Sequence, residues 1–275
     1  MSARGLRAEL IISCEEIRPA EPFQLGLWFR HPPGYHTYWK NPGVVGLATA
    51  MTLNLPQGYE VGRLQWPYPE HSRMADYACY GYQRDVVLLV TVIPPDQLSE
   101  SQPLLTADAH WMCCRDQCFP GFETLTLDWG KGYRPELIQA AAEEVPRPSE
   151  QWALTLLSSP HEEQIRLQLD GPSPLEPLHL FNADGQVSDA GDQEFEKRGE
   201  GQWRLILPRS EFSPEGVLSF PAVLRTSSSY VALEANYPST LKGALKTPLE
   251  IMPASTSAQD NDPKKPCSKC VEQGE

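Results

Sequence analysis

Three of the seven cysteines lie close together, at Cys113, Cys114 and Cys118. Thiols at this spacing can form a disulfide, exchange with the cysteines of a partner or bind a soft metal ion. Alternation along Leu104–Cys114 places Cys113 on the apolar face of a predicted strand and Cys114 on the mixed face. We therefore predict that Cys113 is a packed core side chain and that Cys114 is a candidate for chemistry. The polar segment 115–117 suits a tight turn, which can bring Cys118 within disulfide distance of Cys114.

The elements that must position these cysteines are mostly β-strands. The chain has 27 prolines and 19 glycines, which divide it into short segments and favour strands over helices. Only Pro135–Glu144 has a convincing helical pattern, with proline at its first position. Segment 70–79 has no clear period and is predicted to be a loop. The predicted strands are Arg7–Ser13, Phe23–Phe29, Ala48–Leu55, Val61–Trp66, Val86–Val90, Leu104–Cys114, Thr124–Trp129, Trp152–Leu156, Ile165–Leu169, Trp203–Leu207, Val217–Leu224 and Tyr230–Ala235.

Short strands at this spacing are typical of β-sandwiches, so the predicted fold class is all-β. We expect one sandwich domain over residues 1–132, a helical linker over 133–149 and a second sandwich over 150–252. Residues 253–275 have few apolar side chains and are predicted to be disordered. This tail carries a second cysteine pair, Cys267-x-x-Cys270, without the strand and helix context of thioredoxin-type sites.

Charge and hydropathy exclude several classes of partner. The formal net charge is −13, which argues against nucleic acid and anionic membranes. No apolar run approaches the roughly 18 residues of a membrane-spanning helix. The chain as given shows no signal peptide, which indicates either a cytosolic protein or one whose export signal has been removed. An odd number of cysteines leaves at least one without a partner in the chain.

Five motifs of the first domain agree in order and spacing with a known family. They are HTYWKNPG at 36–43, LPQG at 55–58, LQWPYP at 64–69, YGY at 80–82 and WMCCRDQCFPG at 111–121. On these motifs, residues 7–130 resemble the N-terminal periplasmic domain of DsbD-type protein-disulfide reductases. The nearer match is the branch that includes the copper-sensitivity suppressor proteins, whose second domain resembles the later β segment less specifically.

The resemblance implies an immunoglobulin-like fold with one redox cysteine pair. By position in the motif that pair is Cys114 and Cys118. Cys118 is then the cysteine that forms mixed disulfides with partners, and Cys114 is the resolving cysteine. A cap loop shields the pair in the family, which makes Met74 and Tyr77 the cap candidates here. The cysteines carry the electrons themselves, so neither an organic cofactor nor a metal is implied.

The resemblance also implies partners, a compartment and an activity. The expected partners are a thioredoxin-like or membrane electron donor and a periplasmic thiol-disulfide substrate protein. The expected location is the bacterial periplasm, and the expected activity is that of a protein-disulfide reductase. Copper tolerance is the process associated with the nearer branch.

Three departures from the family pattern stand out. The Cys-x3-Cys spacing is shorter than in the best-known members, although the copper-sensitivity branch has the short form. Cys113 adds a third thiol beside Cys114. The full reductases continue into a membrane domain and a thioredoxin-like domain that this chain lacks. We therefore expect either a fragment or a stand-alone relative whose electron donor is a separate protein.

Other interpretations stay open on the residues alone. The bridge between Cys114 and Cys118 can be purely structural. The two cysteines can also combine with Cys267 and Cys270 into four soft thiolates for zinc or Cu(I). A β-sandwich can equally be a binding module without catalysis, because the fold alone does not fix the function.

Overall fold

The computed structural model describes residues 5–188 and 193–238. The first ten strands are β1 (Arg7–Ile12), β2 (Phe23–Arg30), β3 (Thr37–Gly43), β4 (Ala50–Asn54), β5 (Glu60–Val61), β6 (Glu70–Met74), β7 (Tyr77–Tyr82), β8 (Val86–Ile93), β9 (Thr106–Cys114) and β10 (Cys118–Thr126). The helix α1 (Pro135–Glu144) follows. The later strands are β11 (Arg147–Pro148), β12 (Ala153–Leu156), β13 (Gln164–Asp170), β14 (Pro177–Asn182), β15 (Glu196–Gly199), β16 (Gln202–Pro208), β17 (Ser219–Thr226) and β18 (Tyr230–Asn236).

Strands β1–β10 form the N-terminal sandwich. The sheet β1-β2-β8-β5 and the sheet β10-β9-β4 bury a common apolar core, and a third sheet, β3-β7-β6, lies beside them. Alternate residues of β9, namely Ala107, Ala109, Trp111 and Cys113, are buried in this core. This confirms the inward face that the sequence predicts for the strand leading to the cysteines.

Strand β8 is buried on both faces, as its continuous apolar run predicts. Leu88 and Val90 enter the N-terminal core. Val87 and Leu89 point the other way and pack against the helix α1 through Ile138. The helix therefore covers the outer face of the sheet instead of standing apart as a linker.

Strands β11–β18 form the C-terminal sandwich, with sheet orders β11-β18-β17-β14 and β12-β13-β16-β15. Alternating leucines of β13 and β16 meet Phe220 and Leu224 of β17 in its core. Phe181 of β14 and Val223 of β17 are instead buried in the N-terminal core. The two sandwiches thus share packed side chains, and the described residues all fall within one compact unit. The domain boundaries at 132 and 149 stay predictions.

Two sequence predictions in the N-terminal half are wrong. Segment 70–79 is not a loop, because β6 and β7 form an antiparallel hairpin in which Met74 is opposite Tyr77. Its turn contains Ala75 at φ 52° and no glycine, so the usual hairpin signal is missing. The predicted strand Val61–Trp66 is confined to β5 at its start. Beyond it the chain stays near β8 without forming a continuous strand. The Gly62 N–H donates to the Thr91 carbonyl at 2.9 Å, and Gln65 and Leu89 form an isolated backbone pair.

Strands β14 and β15 were not among the predicted strands. In β14 polar side chains occupy buried positions, where His179 and Asn182 are almost fully enclosed. Such positions break the apolar alternation on which strand prediction depends. Within the described ranges no helix is long and apolar enough to cross a bilayer. The tail with Cys267 and Cys270, including its predicted disorder, lies outside the described residues.

Candidate functional site

A disulfide joins Cys114 to Cys118 at the tip of the β9–β10 hairpin. The two residues are directly opposite in the strand register, with their Cα atoms 4.2 Å apart. The turn between them is closed by the Arg115 N–H, which donates to the Gln117 carbonyl at 3.2 Å. The expectation that a polar turn brings these cysteines together is confirmed.

The backbone at the disulfide has a defined orientation. A Cα separation near 4.5 Å is typical of opposed residues that do not exchange backbone hydrogen bonds. The Cys114 N–H accordingly turns away from β10 and donates to the His36 carbonyl at 3.0 Å, and the His36 N–H donates back to Cys114 at 2.9 Å. By the same alternation the N–H and C=O of Cys118 point toward the sheet edge that β10 forms. Pro120 holds an equivalent position and has no N–H, which suits an edge strand.

The two sulfur-bearing residues differ in exposure. Cys114 is 0 % exposed, whereas Cys118 is an exposed residue at the surface. Cys114 packs with Tyr38 and Cys79 in a small apolar cluster, which we call the sulfur cluster. A molecule that approaches from solvent therefore meets Cys118 first.

Tyr38 brings a hydroxyl group to the disulfide. Its Oη lies 3.9 Å from Cys118 Sγ, within the longer range of hydrogen bonds to sulfur. Burial, followed by the nearby Cys79 and Cys113, raises the pKa of the Tyr38 hydroxyl far above its ordinary value. The hydroxyl therefore stays protonated and can donate to a Cys118 thiolate once the disulfide opens.

The β6–β7 hairpin covers the buried side of the disulfide. Met74 is partly buried and packs on the sulfur cluster. Tyr77, opposite Met74 across the turn, keeps 56 % of its surface exposed. Cys79, further along β7, is buried, and its Sγ lies 3.8 Å from His36 Nε2. Of the two cap candidates, the hairpin thus brings Met74 to the cluster. It also places the Cys79 side chain beside the disulfide.

The other titratable groups around the site are either neutral at neutral pH or paired with an opposite charge. Burial lowers the pKa of His36 to about 4, so its ring is neutral at neutral pH. Burial raises the pKa of the Cys113 thiol to about 11, which keeps this core cysteine protonated and unreactive. Arg115 is paired with Asp116 at 2.9 Å, which offsets its charge next to the turn.

The metal alternative finds no support within the part of the chain that the structure describes. No cluster of three or more His, Cys, Asp or Glu side chains with metal-binding geometry occurs there. Cys267 and Cys270, the other members of the four-thiolate hypothesis, lie outside the described residues.

Sequence reasoning missed three side chains of the site. They are Tyr38, Cys79 and His36, none of which the sequence analysis singled out as a site residue. Tyr38 and His36 both belong to the HTYWKNPG motif at 36–43, so this motif already carried a signal. Cys79 gave none, because its closeness to Cys114 depends on the unpredicted hairpin.

Comparisons with known proteins agree with this geometry. Residues 8–128 match the family described as "Thiol:disulfide interchange protein DsbD, N-terminal". No curated protein sequence matches the chain. Among solved structures, the N-terminal periplasmic domain of ScsB from Proteus mirabilis aligns with a TM-score of 0.62 and 17% sequence identity. The alignment covers 84% of this chain and 91% of that one, so the shared fold extends into the C-terminal sandwich.

These matches, together with the paired sheets of the structure, confirm two sequence predictions, the immunoglobulin-like sandwich fold and the resemblance to DsbD-type N-terminal domains. The matched segment holds β1–β10, the disulfide and the hairpin that covers it. Residues 8–128 are similar to the family of DsbD N-terminal domains.

Proposed function

We propose that the chain is a thiol–disulfide exchange module that cycles Cys114 and Cys118 between disulfide and dithiol. In this proposal it takes electrons from a thioredoxin-like or membrane donor and passes them to extracytoplasmic substrate proteins. The observation that carries the proposal is the asymmetry of the disulfide, which has one exposed and one buried cysteine within a domain of the DsbD N-terminal family. A bridge that served only stability has no need of an exposed half next to a protonated tyrosine hydroxyl.

The proposed chemistry is thiol–disulfide exchange, in which two electrons pass from the donor dithiol to the Cys114–Cys118 disulfide. A donor thiolate attacks Cys118 Sγ, forms a mixed disulfide and breaks the Cys114–Cys118 bond, and Cys114 leaves as a thiolate. A second thiolate of the donor then attacks the donor's first sulfur in the mixed disulfide, and Cys118 leaves as a thiolate. The donor ends as a disulfide, and both cysteines of this chain end reduced.

The dithiol then reduces the substrate, and in this half-reaction Cys118 is the attacking thiolate. Cys118 attacks a substrate disulfide, and Cys114 resolves the mixed disulfide because the β9–β10 register holds it opposite Cys118. The Tyr38 hydroxyl stabilises the Cys118 thiolate in both half-reactions. The edge orientation of the Cys118 backbone lets an extended partner segment align with β10 while its cysteine reacts.

The proposed compartment is the bacterial periplasm. Disulfide relays operate in oxidising compartments, and the matched ScsB structure is described as a periplasmic domain. Met74 is the proposed cap residue, since it packs on the sulfur cluster. Tyr77 is proposed as a contact for the partner, because most of its ring is exposed beside the cap.

Trapping the mixed disulfide tests this proposal. With Cys114→Ser, reduced thioredoxin lacking its own resolving cysteine, in an excess of mild oxidant, should form a covalent adduct on Cys118. With Cys118→Ser, the buried Cys114 should give at least tenfold less adduct. Cys113→Ser is the matched control and should leave the native disulfide in place. Equal trapping at Cys114 and Cys118, or none at either, would contradict the proposed roles.

A further inference from the structure

The C-terminal sandwich begins beyond the residues that the family match covers, and its role is unassigned by that match. It contacts the β6–β7 hairpin directly. The Phe181 ring of β14 lies 5.0 Å from the ring of Tyr80 and 5.2 Å from that of His71. Phe181 is fully buried among N-terminal side chains, so the base of the hairpin is packed against the second sandwich.

A hydrogen bond joins the same two elements. The Tyr80 hydroxyl lies 3.2 Å from His179 Nε2, and Gln193 Nε2 lies 3.3 Å from the same atom. The Gln193 amide has a fixed orientation, because its Oε1 accepts from the Leu180 N–H at 2.7 Å and its Nε2 donates to the Leu180 carbonyl at 3.0 Å. Its Nε2 is therefore the donor toward His179. His179 Nε2 is then an acceptor, and the Tyr80 hydroxyl donates to it from the hairpin.

The other end of this hairpin lies on the disulfide. Met74 at its turn and Cys79 in β7 pack with Cys114 in the sulfur cluster. Five consecutive register pairs, from Glu70 with Gly81 to Met74 with Tyr77, connect the base to the tip. A displacement at the base therefore reaches the side chains that bury Cys114.

We propose that the C-terminal sandwich holds the β6–β7 hairpin closed over the disulfide, with Tyr80 and His179 as the positioning residues. This inference rests on the proposed function, because a cover over Cys114 matters only if the pair reacts. The second sandwich thereby sets how often Cys114 and Cys79 are exposed to solvent and to a partner. Opening of the hairpin is a local event, smaller than unfolding of the whole N-terminal sandwich.

The expected size of the effect follows from the bond that is removed. One buried hydrogen bond contributes ~0.5–1.5 kcal/mol, which corresponds to a change of about 2- to 12-fold in an equilibrium. Loss of the Tyr80 hydroxyl should increase the open population of the hairpin by this factor. The same bond is lost on global unfolding, so the opening is judged from the alkylation rates of the covered cysteines compared with those of the parent protein.

Thiol alkylation of the fully reduced, full-length protein measures the opening. Cys79, on the side of β7 that packs with Cys114, and Cys114 beneath the hairpin report its opening, whereas Cys113 lies in the N-terminal core and reports global unfolding. The test variant is Tyr80→Phe. The matched control is Tyr237→Phe, which removes a buried tyrosine hydroxyl that donates to Gln186 at 2.6 Å within the C-terminal sandwich.

We expect Tyr80→Phe to raise the alkylation rates of Cys79 and Cys114 about 2- to 12-fold over those of the parent protein. Tyr237→Phe should leave these two rates within twofold of the parent protein, because its hydrogen bond lies outside the hairpin and persists when the hairpin opens. Gln193→Ala, which loosens His179 from the other side, should act in the same direction as Tyr80→Phe. Rates that match the control in both test variants would overturn the proposal.

The outcome for the hairpin is separable from that for the exchange function. Unchanged alkylation rates of Cys79 and Cys114 together with a Cys114–Cys118 pair that still exchanges with thioredoxin remove the positioning role and leave the function standing. A pair that fails to exchange, with the alkylation rates raised as expected, removes the function and leaves a structural hold on the hairpin.

Discussion

At the scale of single residues, the site is defined by which sulfur atom is exposed to solvent and which lies near a hydrogen-bond donor. Cys118 is exposed at a sheet edge, Cys114 is enclosed, and the Tyr38 hydroxyl lies beside the exposed one. The sequence predicted the two cysteines and the burial of Cys113. It did not predict Tyr38, because an aromatic residue in an aromatic-rich segment is more often part of a core.

Removal of the Tyr38 hydroxyl should weaken the Cys118 thiolate. Hydrogen bonds to charged groups contribute ~1.5–3 kcal/mol at normal length and less at 3.9 Å, so we expect Tyr38→Phe to raise the pKa of the Cys118 thiol and to lower its thiolate fraction several-fold. The pH dependence of iodoacetamide alkylation in the reduced protein measures this pKa. Tyr35→Phe is the control, since its ring lies near Phe119 and Arg115 and no hydrogen bond joins it to the disulfide. An unchanged alkylation profile in Tyr38→Phe would refute the donor role.

His179 should make stability depend on pH. Burial, then His71 and Arg225, lower its pKa to about 3 from an ordinary 6.5, and Tyr80 faces its Nε2 as a donor. Because the folded pKa is depressed for a base, the neutral form is favoured in the fold, and stability is full above pH 6.5 and is lost as pH falls toward 3. At pH 5 His179 should account for ~2 kcal/mol of lost stability. Urea unfolding of His179→Gln at pH 7.5 and pH 5 should show a smaller loss than the parent, and an equal loss would contradict the assignment.

At the scale of elements, most strands could be predicted and their partners could not. The apolar periods of β2, β8, β9 and β13 gave these strands nearly the bounds that the structure has. The β6–β7 hairpin was missed because its turn has Ala75 where glycine is expected and because its buried residue in β6 is Ser72. Its contact with Cys114 is long-range, and no local pattern encodes it.

The β9–β10 hairpin depends on Gly121 of β10, against which the indole of Trp111 in β9 packs. A Cβ on Gly121 would lie 2.3 Å from the ring of Trp111, its partner in the register. Gly121→Ala should therefore cost ~1–3 kcal/mol, as overpacking of a core does. Urea unfolding measures the loss. Gly130→Ala is the matched control, because its Cβ would meet only Asp128 Oδ1 at 3.3 Å, and an equal effect of the two changes would contradict this packing argument.

At the scale of the whole molecule, the two sandwiches share a core. Sequence analysis predicted two domains with a linker, whereas Phe181 and Val223 of the second sandwich are buried with the first. Asn41 of β3 also donates to the Asn182 carbonyl at 2.8 Å. These contacts join residues about 140 positions apart, and hydrophobic periodicity within one strand gives no information about them.

Two phenylalanines of the second sandwich distinguish the core that both sandwiches share from the core of the C-terminal sandwich alone. Phe181→Ala and Phe220→Ala each remove a fully buried ring and should each cost ~3–5 kcal/mol. Phe181→Ala should speed amide hydrogen exchange in both the β6–β7 hairpin and β14, since it empties their common contact. Phe220→Ala should speed exchange only in the C-terminal sandwich, where its cluster lies. Identical exchange patterns in the two variants would show that Phe181 does not couple the sandwiches.

The central claim is that Cys114–Cys118 is a reactive pair in a folded domain, and differential alkylation of the native protein tests it most directly. The protein is equilibrated in thiol–disulfide buffers of graded potential, its thiols are blocked, and each cysteine is assigned by mass spectrometry. The account predicts that Cys114 and Cys118 open together and reversibly under native conditions while Cys113 stays unmodified until denaturant is added. A bridge that resists reduction until the domain unfolds would show that it is structural.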